Sequence, residues 1–173
     1  MTDRVLIYPH GTLRQRAVPV TAFDRVLEQL VRELHAILRR ASGYGLAAPQ
    51  IGVNKAVFVI DPATCGDSTL PAVFVNPEIT AREGHYQREE SCLSFPSVRV
   101  EIQRAATITI KAESVLGGPA FVVTARDLAA AVIQHEMDHL RGKLIIDYVP
   151  KGRRTQLLKA MMQQIARGKE TRP

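Results

Sequence analysis

The sequence contains no run approaching the roughly 18 consecutive apolar residues that span a bilayer. Its opening, Met1-Thr2-Asp3-Arg4, lacks a basic region followed by an apolar stretch and a small-residue cleavage site. No membrane segment or secretory leader is expected, and the reading is a cytoplasmic protein. Cysteine is scarce: Cys65 and Cys92 are too few to staple a chain of 173 residues. In a reducing compartment both thiols stay free for metal or redox chemistry. Excess charge is missing from the body of the chain. Residues 151–173 hold seven basic side chains against Glu170 alone, which accounts for the whole net charge of +6 and leaves residues 1–150 neutral. What is present is ordinary for a folded protein: 46% hydrophobic and 23% charged residues exclude disorder, a fibre or a collagen-like repeat. At about 100 to 200 residues per domain, the expectation is one catalytic domain over 1–150 followed by a basic helical tail over 151–173.

Pro9, Gly11 and Pro19 interrupt residues 5–20, which predicts an extended arm across the body. Val26, Leu27, Leu30, Val31, Leu34, Ile37 and Leu38 then recur at helical spacing, with Thr21 and Asp24 as a capping box and Gly43 as a stop. Val57–Ile60 and Val73–Val75 read as strands bounded by prolines and glycine, with three more over 97–102, 106–112 and 120–124. The polar stretch before Ser97 carries no strand signal. A second helix is expected from about Ala125 to Leu140, capped by Thr124 and Asp127. The tail is expected to be a helix with Leu157, Leu158, Met161, Met162 and Ile165 on one face. Strands do not alternate with helices as a doubly wound sheet requires, so the fold class is α+β: a single domain with antiparallel or mixed sheets around the second helix.

That helix contains His135-Glu136-Met137-Asp138-His139, an HExxH motif. Residues four apart on a helix lie one turn above each other, with Cβ atoms about 5 to 6 Å apart, so two imidazoles can converge on one ion. Glu136 then sits beside the ion as a proton acceptor rather than a ligand. A hydrolytic site needs a third protein ligand and an open position. Ile145 stands where a metzincin would have its third histidine, and 140–169 contains no glutamate for a thermolysin-like arrangement. The search therefore moves upstream, to His10, His35, His85, Cys65 and Cys92.

Three ordered motifs then coincide: Gly43-Tyr44-Gly45-Leu46-Ala47-Ala48-Pro49-Gln50, Glu90-Ser91-Cys92-Leu93-Ser94, and Gln134-His135-Glu136-Met137-Asp138-His139-Leu140-Arg141-Gly142. With these the chain resembles the peptide deformylases, from the N-terminal arm to Asp147-Tyr148. The resemblance implies that Cys92, His135 and His139 hold one divalent ion, ferrous iron in this family, with zinc, nickel or cobalt compatible with the same donors. It implies hydrolysis of the formyl group on the N-terminal methionine of nascent formyl-methionyl polypeptides, with release of formate. Glu136 would be base and then acid, and the Gln50 amide and the Leu93 backbone N–H would stabilise the developing negative charge. Gly43, Tyr44 and Gly45 would border the substrate, and Arg99 occupies a position that contacts the peptide.

Leu128, Ala131 and Val132 precede His135 by seven, four and three residues and are expected as an apolar wall for methionine. Two positions depart from the family pattern. Ser91 replaces the glycine before the cysteine, which matters if the site needs a positive φ, and Tyr44 puts a large ring where a smaller aliphatic residue is common. Cys65 reads as a spare thiol. The cationic tail suggests docking on ribosomal RNA near the exit tunnel, with no membrane and no cognate DNA as partners. The competing function is another metallo-amidase or peptidase using the same HExxH and cysteine; a non-enzymatic ribosome- or RNA-associated protein ranks last, since no ligand is lost.

Overall fold

Capping and side-chain alternation explain most of the elements. The computed structural model describes residues 4–170. Helix α1 spans Arg25–Ala41 and buries Leu27, Val31, Leu34, Ile37 and Leu38. The Asp24 carboxylate accepts from the backbone N–H groups of Val26 and Leu27 at 3.0 and 3.1 Å, which satisfies donors the first turn leaves open. Asp24 is thus the cap, and Thr21 lies too far upstream to share that role. At the other end Ser42 takes the left-handed conformation, φ 50°, before Gly43.

Seven strands follow: β1 Gly45–Ala47, β2 Val57–Ile60, β3 Val73–Glu83, β4 Tyr86–Cys92, β5 Phe95–Arg104, β6 Thr107–Glu113 and β7 Phe121–Arg126. Five make a sheet in the order β1-β2-β3-β6-β7 and two a separate β4-β5 ribbon, and every strand pair is antiparallel. The fold is α+β, as expected. Strand β3 runs through Pro77 because its register with β6 shifts between Val75 and Glu78, and a bulge is where a strand tolerates proline. The polar stretch before Ser97 is strand β4, paired with β5 along its length. One face of β4 is solvated, so its sequence shows no apolar run.

Strand β2 is buried on both faces. Val57 and Val59 pack with α1, while Phe58 and Ile60 join the core under the second helix. That helix, α2, is Asp127–Leu140 and buries every residue from Ala129 to Leu140 except His135. It begins later than the sequence suggested. Thr124 and Ala125 stay in β7, paired with Thr109 and Ile108, and the residue at the cap position, Arg126, makes no side-chain capping hydrogen bond. Asp127, at φ 46°, makes the corner, and its N–H donates to Ala106 O at 2.7 Å.

The N-terminal arm does lie across the body. It contains one 3-10 turn, Gly11–Arg14, and its Leu6, Tyr8 and Ala17 N–H groups donate to the carbonyls of Gln50, Ser94 and Leu140. Gly142 is obligatory under it: φ is +69°, and a Cβ there would stand 2.4 Å from Arg14 O. Helix α3, Lys151–Glu170, seats Leu157, Leu158, Met161 and Ile165 on a separate apolar cluster with Val98, Val100 and Ile102 of β5. Met162 does not join that face and is 41% exposed, since each residue turns about 100° from the last. No helix among the described residues is long and apolar enough to cross a membrane.

Candidate active site

Helix α2 and the β4–β5 turn bring the sequence motifs to one place. Cys92 ends β4, where the register with β5 shifts by a bulge after Ser91, and its Sγ lies 3.3 Å from His139 Nε2. Ligand atoms of Cys92, His135 and His139 all fall within 4.8 Å of one another, as two imidazoles one turn apart and a thiol must to share an ion. His139 Nδ1 and one Glu136 oxygen are buried with no hydrogen-bond partner among the described residues. The donor set fits a divalent ion of the borderline-soft kind. Burial is the largest influence on His139 and lowers it well below the usual imidazole range, which keeps it neutral, as a ligand must be.

His135 is oriented from behind. Its Nδ1 lies 2.9 Å from a Glu90 carboxylate oxygen, and Glu90 in turn accepts two hydrogen bonds from the Arg104 guanidinium at 2.8 and 2.9 Å. Arg104 also donates to Asp138 and Tyr148 at 2.6 and 2.7 Å. Burial alone would raise the Glu90 carboxyl, but the hydrogen bonds from Arg104 and His135 outweigh it and hold it down at about 2. A ligand histidine anchored by a carboxylate has a fixed ring orientation and a more basic free nitrogen.

Glu136, next in sequence, points into the cavity from α2. Burial, the largest influence, pushes its carboxyl up to about 7, which suits a group that takes and returns a proton near neutrality. Gly45 makes room for it: a Cβ there would lie 2.6 Å from Glu136 Oε1. The glycine is therefore needed for the carboxylate of the protein itself. Gln50 is buried in a 3-10 turn, Ala48–Ile51. Its Oε1 accepts the Ala47 N–H at 2.9 Å, which turns Nε2 toward Ser94 Oγ at 3.2 Å and Cys92 Sγ at 3.6 Å.

A cavity of about 670 Å³ opens over these groups, walled by Gly43, Tyr44, Gly45, Gln50, Leu93, Arg99, Ala131 and Val132 among others. Leu128 is not on that wall. It packs against the core of the five-stranded sheet, because two helical turns, about 10 Å of rise, separate it from His135. Arg99 reaches the cavity with its guanidinium paired to Glu89 at 3.2 Å. Ser91 lines the cavity too, and it is absent from the residues with positive φ, so the backbone there does not demand glycine. Cys65 is not one of the three clustered donors; its Sγ lies 3.7 Å from Tyr44 O, and burial pushes its thiol up to about 12.

The family model for polypeptide deformylase matches residues 2–155. The chain belongs to the peptide deformylase family. It is 38% identical over 164 residues to peptide deformylase 1 of Shewanella oneidensis, covering 95% of each chain. It is 41% identical over 155 residues to a peptide deformylase of Nitrosococcus oceani, covering 90% of this chain and 91% of the relative. A crystal structure of a peptide deformylase from Legionella pneumophila superposes with a TM-score of 0.89 at 37% identity and covers 98% of both chains.

For a peptide deformylase, what the sequence reading missed is the support behind the candidate ligands, Glu90 and Asp138 with Arg104 and Tyr148, and the Ser94 hydroxyl beside Gln50; Glu90, Ser94 and Asp138 all lie inside quoted motifs. One signal was available. Arg104 occupies an inward position in the alternation Val98, Val100, Ile102, Arg104, and an arginine on a buried face calls for carboxylate partners.

Proposed function

We propose how this chain carries out the reaction of its family, the removal of the formyl group from the N-terminal methionine of newly made proteins. Cys92, His135 and His139 hold one divalent ion, ferrous iron in the cell. When bound, the ion supplies Lewis acidity, polarising the formyl carbonyl and making water more acidic. Glu136 accepts a proton from the attacking water and delivers it to the departing amide nitrogen. The water oxygen bonds to the formyl carbon, the carbon–nitrogen bond breaks, and the products are formate and a free methionine amine. Gln50 Nε2 and the Leu93 backbone N–H donate to the formyl oxygen as negative charge grows there, each contributing about 3 kcal/mol. Ala131 and Val132, with Gly43 and Tyr44, take the methionine side chain, and Arg99 contacts the peptide beyond it. The reaction runs in the cytoplasm, where formylated chains are made, and the cationic face of α3 holds the enzyme to the ribosome.

The observation that carries this reading is the buried Glu136 oxygen, without a hydrogen-bond partner among the described residues, next in sequence to His135 of the Cys92–His135–His139 set. The test is formate release from formyl-Met-Ala-Ser by protein prepared anaerobically with ferrous iron, beside nickel-loaded protein. Glu136→Ala is expected to lose about 100- to 10,000-fold in kcat while keeping its metal. Chelation abolishes turnover and re-addition of ferrous iron restores it. No turnover by folded, metallated protein would overturn the assignment of these roles.

A further inference from the structure

Helix α2 borders a second cavity, of about 200 Å³, on a face other than the one that carries His135 and Glu136. Gln134, Asp138 and Arg141 line it from α2 and its C-terminal end, spaced by four and three residues and so on one side of the helix. Arg82 enters from β3 and Lys143 from the turn after α2. Asp138 is the single carboxylate on the wall, and it is already engaged, accepting from Arg104 and from the Tyr148 hydroxyl at 2.6 Å each. The Gln134 amide is closed on the Ala105 backbone at 3.0 and 3.1 Å. What remains is positive: Arg82, Arg141 and Lys143 are exposed and make no ion pair with a carboxylate among the described residues. Their frame is fixed. The N–H groups of Arg141 and Lys143 both donate to Asp138 O at 2.9 Å, and Lys143 Nζ sits 3.7 Å from the centre of the Tyr148 ring. The C-terminal end of a helix favours cations, which accounts for Arg141 and Lys143. It does not account for Arg82, which a different element brings to the same space.

From this convergence we propose that the cavity is a phosphate site and that its occupant is a backbone phosphate of RNA. Two guanidiniums and one ammonium supply forked and point-charge donors that match phosphate oxygens. A phosphate among them also relieves the repulsion of three like charges held together. Tyr148, the one aromatic ring on the wall, is covered by Lys143 and has its hydroxyl bonded to Asp138. No base can stack there, so the contact is to the backbone and carries no sequence information. The chain continues in the same sense. Lys151, the first residue of α3, follows Tyr148 by three residues, which places the start of the cationic tail within about 11 Å of it. A polymer of phosphates can fill the cavity and run on to the exposed side chains of α3, whereas a free anion can do only the first. The inference concerns a face that takes no part in hydrolysis, and it stands whether or not formyl peptides are the substrates.

The experiment follows binding of a fluorescein-labelled RNA hairpin to the full chain by anisotropy, at low salt. Arg82→Gln, Arg141→Gln and Lys143→Gln combined are compared with an equal loss of charge elsewhere, Arg25→Gln, Arg39→Gln and Arg40→Gln on α1, all exposed in the wild type. The cavity variant is expected to lose about tenfold or more in affinity, the worth of one charge-assisted contact, and the α1 variant several-fold less. Arg82→Gln alone should carry a share of the same loss, which keeps the test decisive if the triple variant folds poorly. Inorganic phosphate is tested on the same proteins by thermal shift, against chloride at matched ionic strength. Equal losses in the two triple variants, or full affinity in the cavity variant, overturns the proposal. Phosphate that raises the melting temperature of wild type but not of the cavity variant, with no RNA bound by either, assigns the cavity to a free anion and overturns the RNA reading.

Discussion

Gly45 and Glu136 show how little freedom a single position has at this site. Adding one methyl at Gly45 places a carbon 2.6 Å from Glu136 Oε1 and 2.9 Å from its Cγ, inside any van der Waals contact. The side chain can swing away only by leaving the cavity groups it faces. Gly45→Ala is therefore expected to lower kcat on formyl-Met-Ala-Ser by about 100-fold, the cost of misplacing a catalytic group by about 1 Å. Metal content and the circular dichroism spectrum should be those of wild type. A variant with normal kcat would show that Glu136 works from another position. Gln50 is constrained at its far end instead. Its oxygen is occupied by the Ala47 N–H, so Gln50→Glu puts a carboxylate where a donor stood and should cost about 10²- to 10³-fold in kcat, with KM changing far less.

At the scale of elements, α2 is held to the β4–β5 ribbon by buried charge: Arg104 on β5 between Glu90 on β4 and Asp138 on α2. The Glu90 carboxyl is held at about 2 against an ordinary 4.5. A depressed carboxylate stabilises the fold above its ordinary value, and the contribution disappears as pH falls through about 2. The shift corresponds to about 3 kcal/mol. Urea midpoints of wild type and Glu90→Gln should accordingly differ widely at pH 6 and converge toward pH 2, whereas a constant gap would mean that packing, not charge, is lost. This joint is also the part least readable in the sequence. The HExxH helix announces itself, since both histidines and an apolar stripe share one local period. Arg104 finds its carboxylates 14 and 34 residues away, and no local pattern reports that. Strand β4 is invisible for a related reason, because its polar residues become a strand only by pairing with β5. Thr124 and Asp127 mimic a helix cap, yet pairing with β6 keeps β7 extended to Arg126, and tertiary contacts prevail over the local signal.

The whole molecule is electrically lopsided, with a neutral body and all of its excess positive charge in residues 151–173. The structure divides the labour within that segment. Met161 is 1% exposed, seated with Leu157, Leu158 and Ile165 against β5, so the apolar face of α3 belongs to the fold. Lys151, Arg153 and Lys159 are exposed, and Arg154 is turned inward to Asp147. Deleting the tail would uncover the Val98–Ile102 core and confuse instability with lost docking. Neutralising the outer charges leaves the seat intact. With Lys151→Gln, Arg153→Gln and Lys159→Gln combined, ribosome affinity should fall, and the slope of log K against log salt should flatten by roughly 2 to 3, since each phosphate contact contributes about 0.7 to 0.9. Thermal stability should hold, because none of the three is buried. A triple variant that binds ribosomes as tightly as wild type, with the same salt slope, would assign the tail to the fold alone.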